Sequence, residues 1–163
     1  MKNSTLIFLL SLLVLWGCNN APATLSDADK EQIKKEVLED LEIINDAVNN
    51  HDFEKMMEYC WNDPDYLYAA NGSLVKGWDA NYKIASEIHS NPKNQSFTLK
   101  YDDTIITVLS QDLVMLTAKG QFIDFPIEND TKNIDLVVTF LVQKIGGKWK
   151  IIVGHESTND PIF

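Results

Sequence analysis

The residues able to do chemistry in this chain gather in two stretches. The first is GGKWKIIVGHES, Gly146–Ser157. In an uninterrupted strand successive side chains alternate between faces. Trp149, Ile151, Val153, His155 and Ser157 then share one face, and Lys150, Ile152, Gly154 and Glu156 share the other. If Gly146-Gly147 forms a two-residue turn, the preceding strand sets Val142 opposite Ile151, Phe140 opposite Val153, Val138 opposite His155 and Leu136 opposite Ser157. That face is apolar apart from His155 and Ser157, so it is predicted to be the covered one. Asp135 and Glu156 are predicted to fall outside. A desolvated imidazole stays neutral near pH 7 and suits a hydrogen bond or proton abstraction. The plainer role is a core histidine bonded to a hydroxyl or carbonyl. The reading adopted is a pocket in which His155 and Ser157 orient a ligand, Val138 and Phe140 form wall, and His155 is the alternative general base.

The second stretch supplies aromatics: Trp61, Tyr66, Tyr68, Trp78 and Tyr82. A buried Tyr or Trp needs a partner for its polar atom, so such a cluster suits a cavity that is oily at depth and polar at its rim. Core packing is the competing use. Asp63 and Asp65 flank Pro64 and read as turn residues. His51, His89 and His155 lack metal-ligand spacing, and no pair of nearby cysteines accompanies them. No glycine-rich phosphate loop is present, and no nucleophile-elbow pattern surrounds Ser157. Neither a cofactor nor a metal is therefore expected. A carboxylate base with phenolic oxyanion donors has its tyrosines, but no aspartate falls on the predicted inner face.

The elements that position these residues follow from periodicity. Ser26 and Asp29 form a capping-box-like start, and Ile33, Val37, Leu41, Ile44 and Val48 make one apolar stripe on a helix. Asn49-Asn50 ends it, and Asp52 caps a shorter helix carrying Phe53, Met56, Met57 and Cys60. Pro64 bars helix continuation. A strand over Tyr66–Ala69, the hairpin signal Asn71-Gly72 and a short return over Ser73–Lys76 follow. A third helix, around Asp79–His89, stops before Pro92. The rest reads as long strands: Ser96–Leu109, Leu113–Phe125, Ile134–Lys144 and Lys148–Ser157, with Phe125–Asn133 as a loop. Hairpin-linked strands predict an antiparallel sheet, and the whole predicts an α+β class.

The order of elements, the segment Asn50–Ala80 and the Trp-Lys-Ile…His-x-Ser ending resemble the nuclear-transport-factor-2-like superfamily, in particular its SnoaL-like branch. The resemblance covers roughly residues 26–157. It implies a cone-shaped α+β roll, with three helices packed on a curved antiparallel sheet. It also implies that a histidine at the position of His155 faces the cavity, and that dimers form through the exposed sheet face. The superfamily holds enzymes, binders and assembly modules, so the fold does not fix the chemistry.

At the front, Lys2 and the apolar run Leu6–Trp16 read as a secretory signal; the run is shorter than the ~20 residues of a membrane-spanning helix. LWGC, Leu15–Cys18, resembles a bacterial lipobox. It implies a signal peptide over 1–17 and a lipidated Cys18, with ordinary cleavage or an uncut anchor as the competing reading; a tether over 18–25 and, from the preceding resemblance, a SnoaL-like domain over 26–163 follow. Attachment to the cell envelope, periplasmic or surface-exposed, follows from that resemblance. Cys60 is then without a disulfide partner and reads as a small buried apolar group. The formal net charge is −10 and every basic residue is lysine, so nucleic-acid binding is not expected. The expected partners are a small, partly apolar molecule, the membrane through the acyl anchor, and a second copy of the chain.

Overall fold

The computed structural model describes residues 24–92, 96–127 and 130–160. Helix α1 (Asp27–Asn49) is followed by α2 (Phe53–Glu58), β1 (Leu67–Ala70), β2 (Ser73–Lys76), α3 (Trp78–Ser90), β3 (Thr98–Val108), β4 (Leu113–Ile127), β5 (Asp130–Ile145) and β6 (Lys148–Thr158). A full capping box starts α1: the Asp29 amide donates to Ser26 Oγ at 3.2 Å and the Ser26 amide donates to Asp29 Oδ2 at 3.1 Å. Ile33, Val37, Leu41 and Val48 of its apolar stripe are buried. Asp52 caps α2 by accepting from the Lys55 amide at 3.0 Å. The Asn71-Gly72 turn has positive φ at both residues, 46° and 84°, as a tight hairpin with right-handed strand twist needs.

The six strands form one sheet in the order β2-β1-β6-β5-β4-β3. It is mixed rather than antiparallel throughout, because β1 runs parallel to β6. The chain enters that pairing before β1 begins. The Ile151 amide donates to Tyr59 O at 2.8 Å and the Trp61 amide to Ile151 O at 2.9 Å, which fixes the direction of the strand that follows. The predicted loop over 125–133 is also mostly strand, with β4 reaching Ile127 and β5 starting at Asp130.

Three register shifts interrupt the ladders: at Tyr101/Asp103 between β3 and β4, at Phe122/Phe125 between β4 and β5, and at Leu141/Val142 between β5 and β6. Each bulge bends the sheet and increases its twist, which turns a flat ladder into a curved α+β roll. The second lets Phe122 and Phe125 both point inward, where they meet Phe97 at ring-centroid distances of 5.3 and 5.2 Å.

Two groups of hydrogen bonds tie α1 to the sheet. Glu36 Oε2 accepts from Lys144 Nζ at 2.7 Å and from Trp149 Nε1 at 3.2 Å, while the Trp149 amide donates to Asp40 Oδ2 at 3.1 Å. At the far end of the helix, the Asn49 amide group bonds both backbone groups of Leu99. It donates to Leu99 O at 2.9 Å and accepts from Leu99 N at 2.6 Å. Because β3 is an outer strand of the sheet, this side chain stands where a neighbouring strand would.

Candidate functional site

The β5–β6 hairpin starts in the predicted register, with Ile145 opposite Lys148 and Val142 opposite Ile151. It then slips. Leu141 pairs with Val153, leaving Ile152 as the extra residue, and the pairs beyond are Phe140 with Gly154, Thr139 with His155, Val138 with Glu156 and Val137 with Ser157. One inserted residue reverses the faces of everything after it. His155 and Ser157 are accordingly exposed, and the Ser157 hydroxyl donates only to Val137 O at 3.5 Å. The prediction that these two line the covered face is corrected by that bulge. The cone has no use for His155 as a base, because the ring stands on the other side of the sheet.

The same slip carries Glu156 inside, to 9% exposure. It was predicted to lie outside. Tyr68 donates to Glu156 Oε2 at 3.1 Å. β1 pairs Tyr68 with Gly154, and a Cβ on Gly154 would stand 2.5 Å from the Tyr68 ring. The missing side chain is what lets the phenol lie across the strand and reach the carboxylate. A second tyrosine also lies against a glycine. Tyr101 faces Gly120, whose added Cβ would meet the Lys100 carbonyl oxygen most closely and the Tyr101 ring at 3.0 Å. Val138 and Ala118 complete the floor, each 1% exposed.

Burial governs the electrostatics here. Desolvation pushes the Glu156 carboxyl above its ordinary range, and the Tyr68 hydrogen bond opposes that shift only in part. Desolvation, followed by the Glu156 charge, raises both Tyr68 and Tyr101. Both phenols therefore remain donors, and the carboxyl is poised to accept a proton.

The predicted aromatics divide. Tyr66 is buried and donates to Cys60 Sγ at 3.4 Å, and desolvation raises both groups. Phe140 is buried on the floor beside Gly154. Trp61 packs half-buried against the core. Trp78 and Tyr82 stack on α3 at 4.8 Å, and the Tyr82 hydroxyl donates to Glu54 Oε1 at 2.5 Å. Tyr68, Val138 and Phe140 thus share the inner surface with Glu156. Trp78 and Tyr82 pack with α2 and α3. Glu156 and Tyr101 were missed. The signal for Glu156 was Gly154, since a lone glycine inside a strand marks a bulge or a close approach.

The profile of the SnoaL-like domain matches residues 37–161. The chain belongs to the SnoaL-like domain family. Among curated proteins, none matches it. Solved structures share the fold of this SnoaL-like domain. An NTF-2-like protein of unknown function from Shewanella oneidensis is 23% identical, with a TM-score of 0.65 over 76% of this chain and 98% of that one. A hexachlorocyclohexane dehydrochlorinase, LinA-type3 from Novosphingobium barchaimii, is 17% identical, with a TM-score of 0.67 over 83% and 92%. A ketosteroid isomerase-like protein from Erwinia carotovora is 13% identical, with a TM-score of 0.64 over 78% and 96%. At such identities these neighbours speak for the fold alone. No group of three or more His, Cys, Asp and Glu side chains converges as a metal site among the described residues of the SnoaL-like domain. What its interior offers is one enclosed carboxyl with two phenols.

Proposed function

We propose that the concave face of this SnoaL-like domain binds a small, partly apolar molecule, oriented by Glu156, Tyr68 and Tyr101. The observation that carries this reading is the Tyr68–Glu156 hydrogen bond of 3.1 Å inside an otherwise apolar floor. An ionisable group in such surroundings is costly to bury, and recognition of a polar ligand atom gives it a use. Half-buried Tyr101, Ile106 and Val108 of β3 supply apolar surface beside it. Residues 1–18 lie outside the described residues; their signal-like run and Cys18 support attachment of the domain to the cell envelope by a lipid. The test is mass spectrometry of small molecules retained by the purified full chain, followed by thermal-shift titration of each hit. Glu156→Gln and Tyr68→Phe are expected to weaken a true ligand, and His155→Ala to leave it unchanged. A hit indifferent to Glu156→Gln and Tyr68→Phe would remove the concave face as its site.

A second reading rests on the raised Glu156 carboxyl. In it the site is catalytic and Glu156, in place of His155, takes the proton. The dehydrochlorinase and isomerase-like neighbours of this fold make proton transfer the reaction class to assay. A third concerns partners. Val137, Met115 and Ile105 are 42%, 39% and 60% exposed on the outer sheet face beside His155, and we propose a second copy of the chain as their cover. Light scattering of the chain from residue 19 tests this: concentration-dependent dimers support it, and a strict monomer removes it.

A further inference from the structure

A cleft of about 360 Å³ opens at the other end of β6, its lining including Glu54, Met57 and Glu58 of α2, Trp78, Lys148 and Lys150. Lys150 pairs with Gln143 and Glu156 with Val138, five strand steps apart and so roughly 16 Å at ~3.3 Å per residue; the cleft is not the Glu156 site.

Its polar groups are unequally satisfied. Both carboxylates are engaged: Glu54 accepts from Tyr82, and Glu58 accepts from Lys55 at 2.9 Å. The lysines are engaged more loosely. Lys148 stands 3.9 Å from Glu58 and 5.8 Å over the Tyr59 ring, and Lys150 forms no ion pair among the described residues, its charge acting on Glu58 from further away. The Trp78 Nε1–H lacks an acceptor but is buried away from solvent, so the indole contributes apolar surface to the cleft and the lysines contribute its donors. On a chain of net charge −10, two lysines that share one cleft without a close carboxylate of their own are unusual. Met57 and the Trp78 indole add apolar wall beside those donors.

We propose that this cleft is a second ligand site, for a small monocarboxylate with an apolar body. Lys150 and Lys148 hold the carboxylate, and Met57 and Trp78 carry the body. Glu54 and Glu58 confine the negative charge to the β6 side, which disfavours a dianion. Lysine suits the task as a mobile point charge, and a charge-assisted bond decides affinity in so open a cleft.

Hexanoate is the probe, with hexan-1-ol as the uncharged control of equal length, followed by amide NMR on the full chain. Hexanoate should shift the amides of Lys148–Ile151 and Met57–Asn62 saturably, and hexan-1-ol should not. Lys150→Gln should weaken hexanoate roughly tenfold, the effect of one charge-assisted hydrogen bond. Lys150→Arg should retain it, and Glu156→Gln should leave it unchanged. Equal shifts with hexan-1-ol, undiminished binding by Lys150→Gln, or no saturable shift would each overturn the proposal. Loss of binding in Glu156→Gln would overturn it too, by moving the ligand to the concave face.

Discussion

The ring of Tyr68 lies against the backbone of Gly154, two residues before the carboxylate that its hydroxyl reaches. An alanine methyl at 154 would stand 2.5 and 2.6 Å from two ring carbons, closer than such atoms approach without movement. Gly154→Ala is expected to destabilise the fold by about 2 kcal/mol, the usual scale of overpacking. Urea denaturation measures it. The smaller Tyr68→Leu/Gly154→Ala pair should recover part of the loss, because the clash needs both partners.

Glu156 makes a pH-dependent contribution of a definite sign. Burial raises its folded-state pKa above the unfolded value, so the folded protein binds the proton more tightly. Stability from this group is full below the unfolded pKa and declines as pH rises through the folded one. Glu156→Gln keeps an acceptor for Tyr68 and never ionises. The variant should match the native protein in acid and exceed it increasingly as pH rises, read from urea midpoints across pH 4–8. A constant gap at every pH would show that the carboxyl does not titrate in this way.

Glu36 behaves oppositely. The Lys144, Gln32 and Trp149 hydrogen bonds, in that order, hold its carboxyl down at about 2 against an ordinary 4.5. A depressed pKa gives stability that is present above pH 4.5 and lost as pH falls toward 2. Glu36→Gln should cost about 1 kcal/mol at pH 7, the modest figure for a bond at the solvent edge. It should also flatten the acid limb of the stability profile. Chemical denaturation of both proteins between pH 2 and 7 checks each part.

Ile152 is the extra residue of the last hairpin, and its removal is informative. Deleting it joins Ile151 to Val153 and leaves Leu141–Val153 and every later pair as they stand. The deletion variant should fold with Glu156 still inside, at a cost of about 1–2 kcal/mol for lost curvature and packing. Diethyl pyrocarbonate should modify the His155 position as readily as before. Protection of that histidine in the variant would mean that the faces had exchanged.

Much of the architecture is written in short-range signals. Ser26 with Asp29, Asp52, Asn71-Gly72 and Gly146-Gly147 each act within a few residues, and each does locally what its chemistry predicts. The stripe from Ile33 to Val48 likewise specifies its own buried face. The candidate site was less legible because it depends on parity summed along a strand. One bulge at Ile152 exchanges His155 for Glu156, and no property of the isoleucine announces it. Gly154 does hint at it, through the space a tyrosine from a distant strand requires. The parallel pairing of β1 with β6 is hidden for a related reason: its partners lie 86 positions apart, as Tyr68 and Gly154 do, and nothing local records which way they run.

The Asn49 amide, bonded to both backbone groups of Leu99, has a bearing on how these molecules keep apart in a crowd. An unguarded outer strand invites a stranger's backbone to join it, and fibrous growth begins with such additions. Here a helix lends one side chain as a stopper, and the invitation is withdrawn at the position where the ladder would otherwise continue into the next molecule.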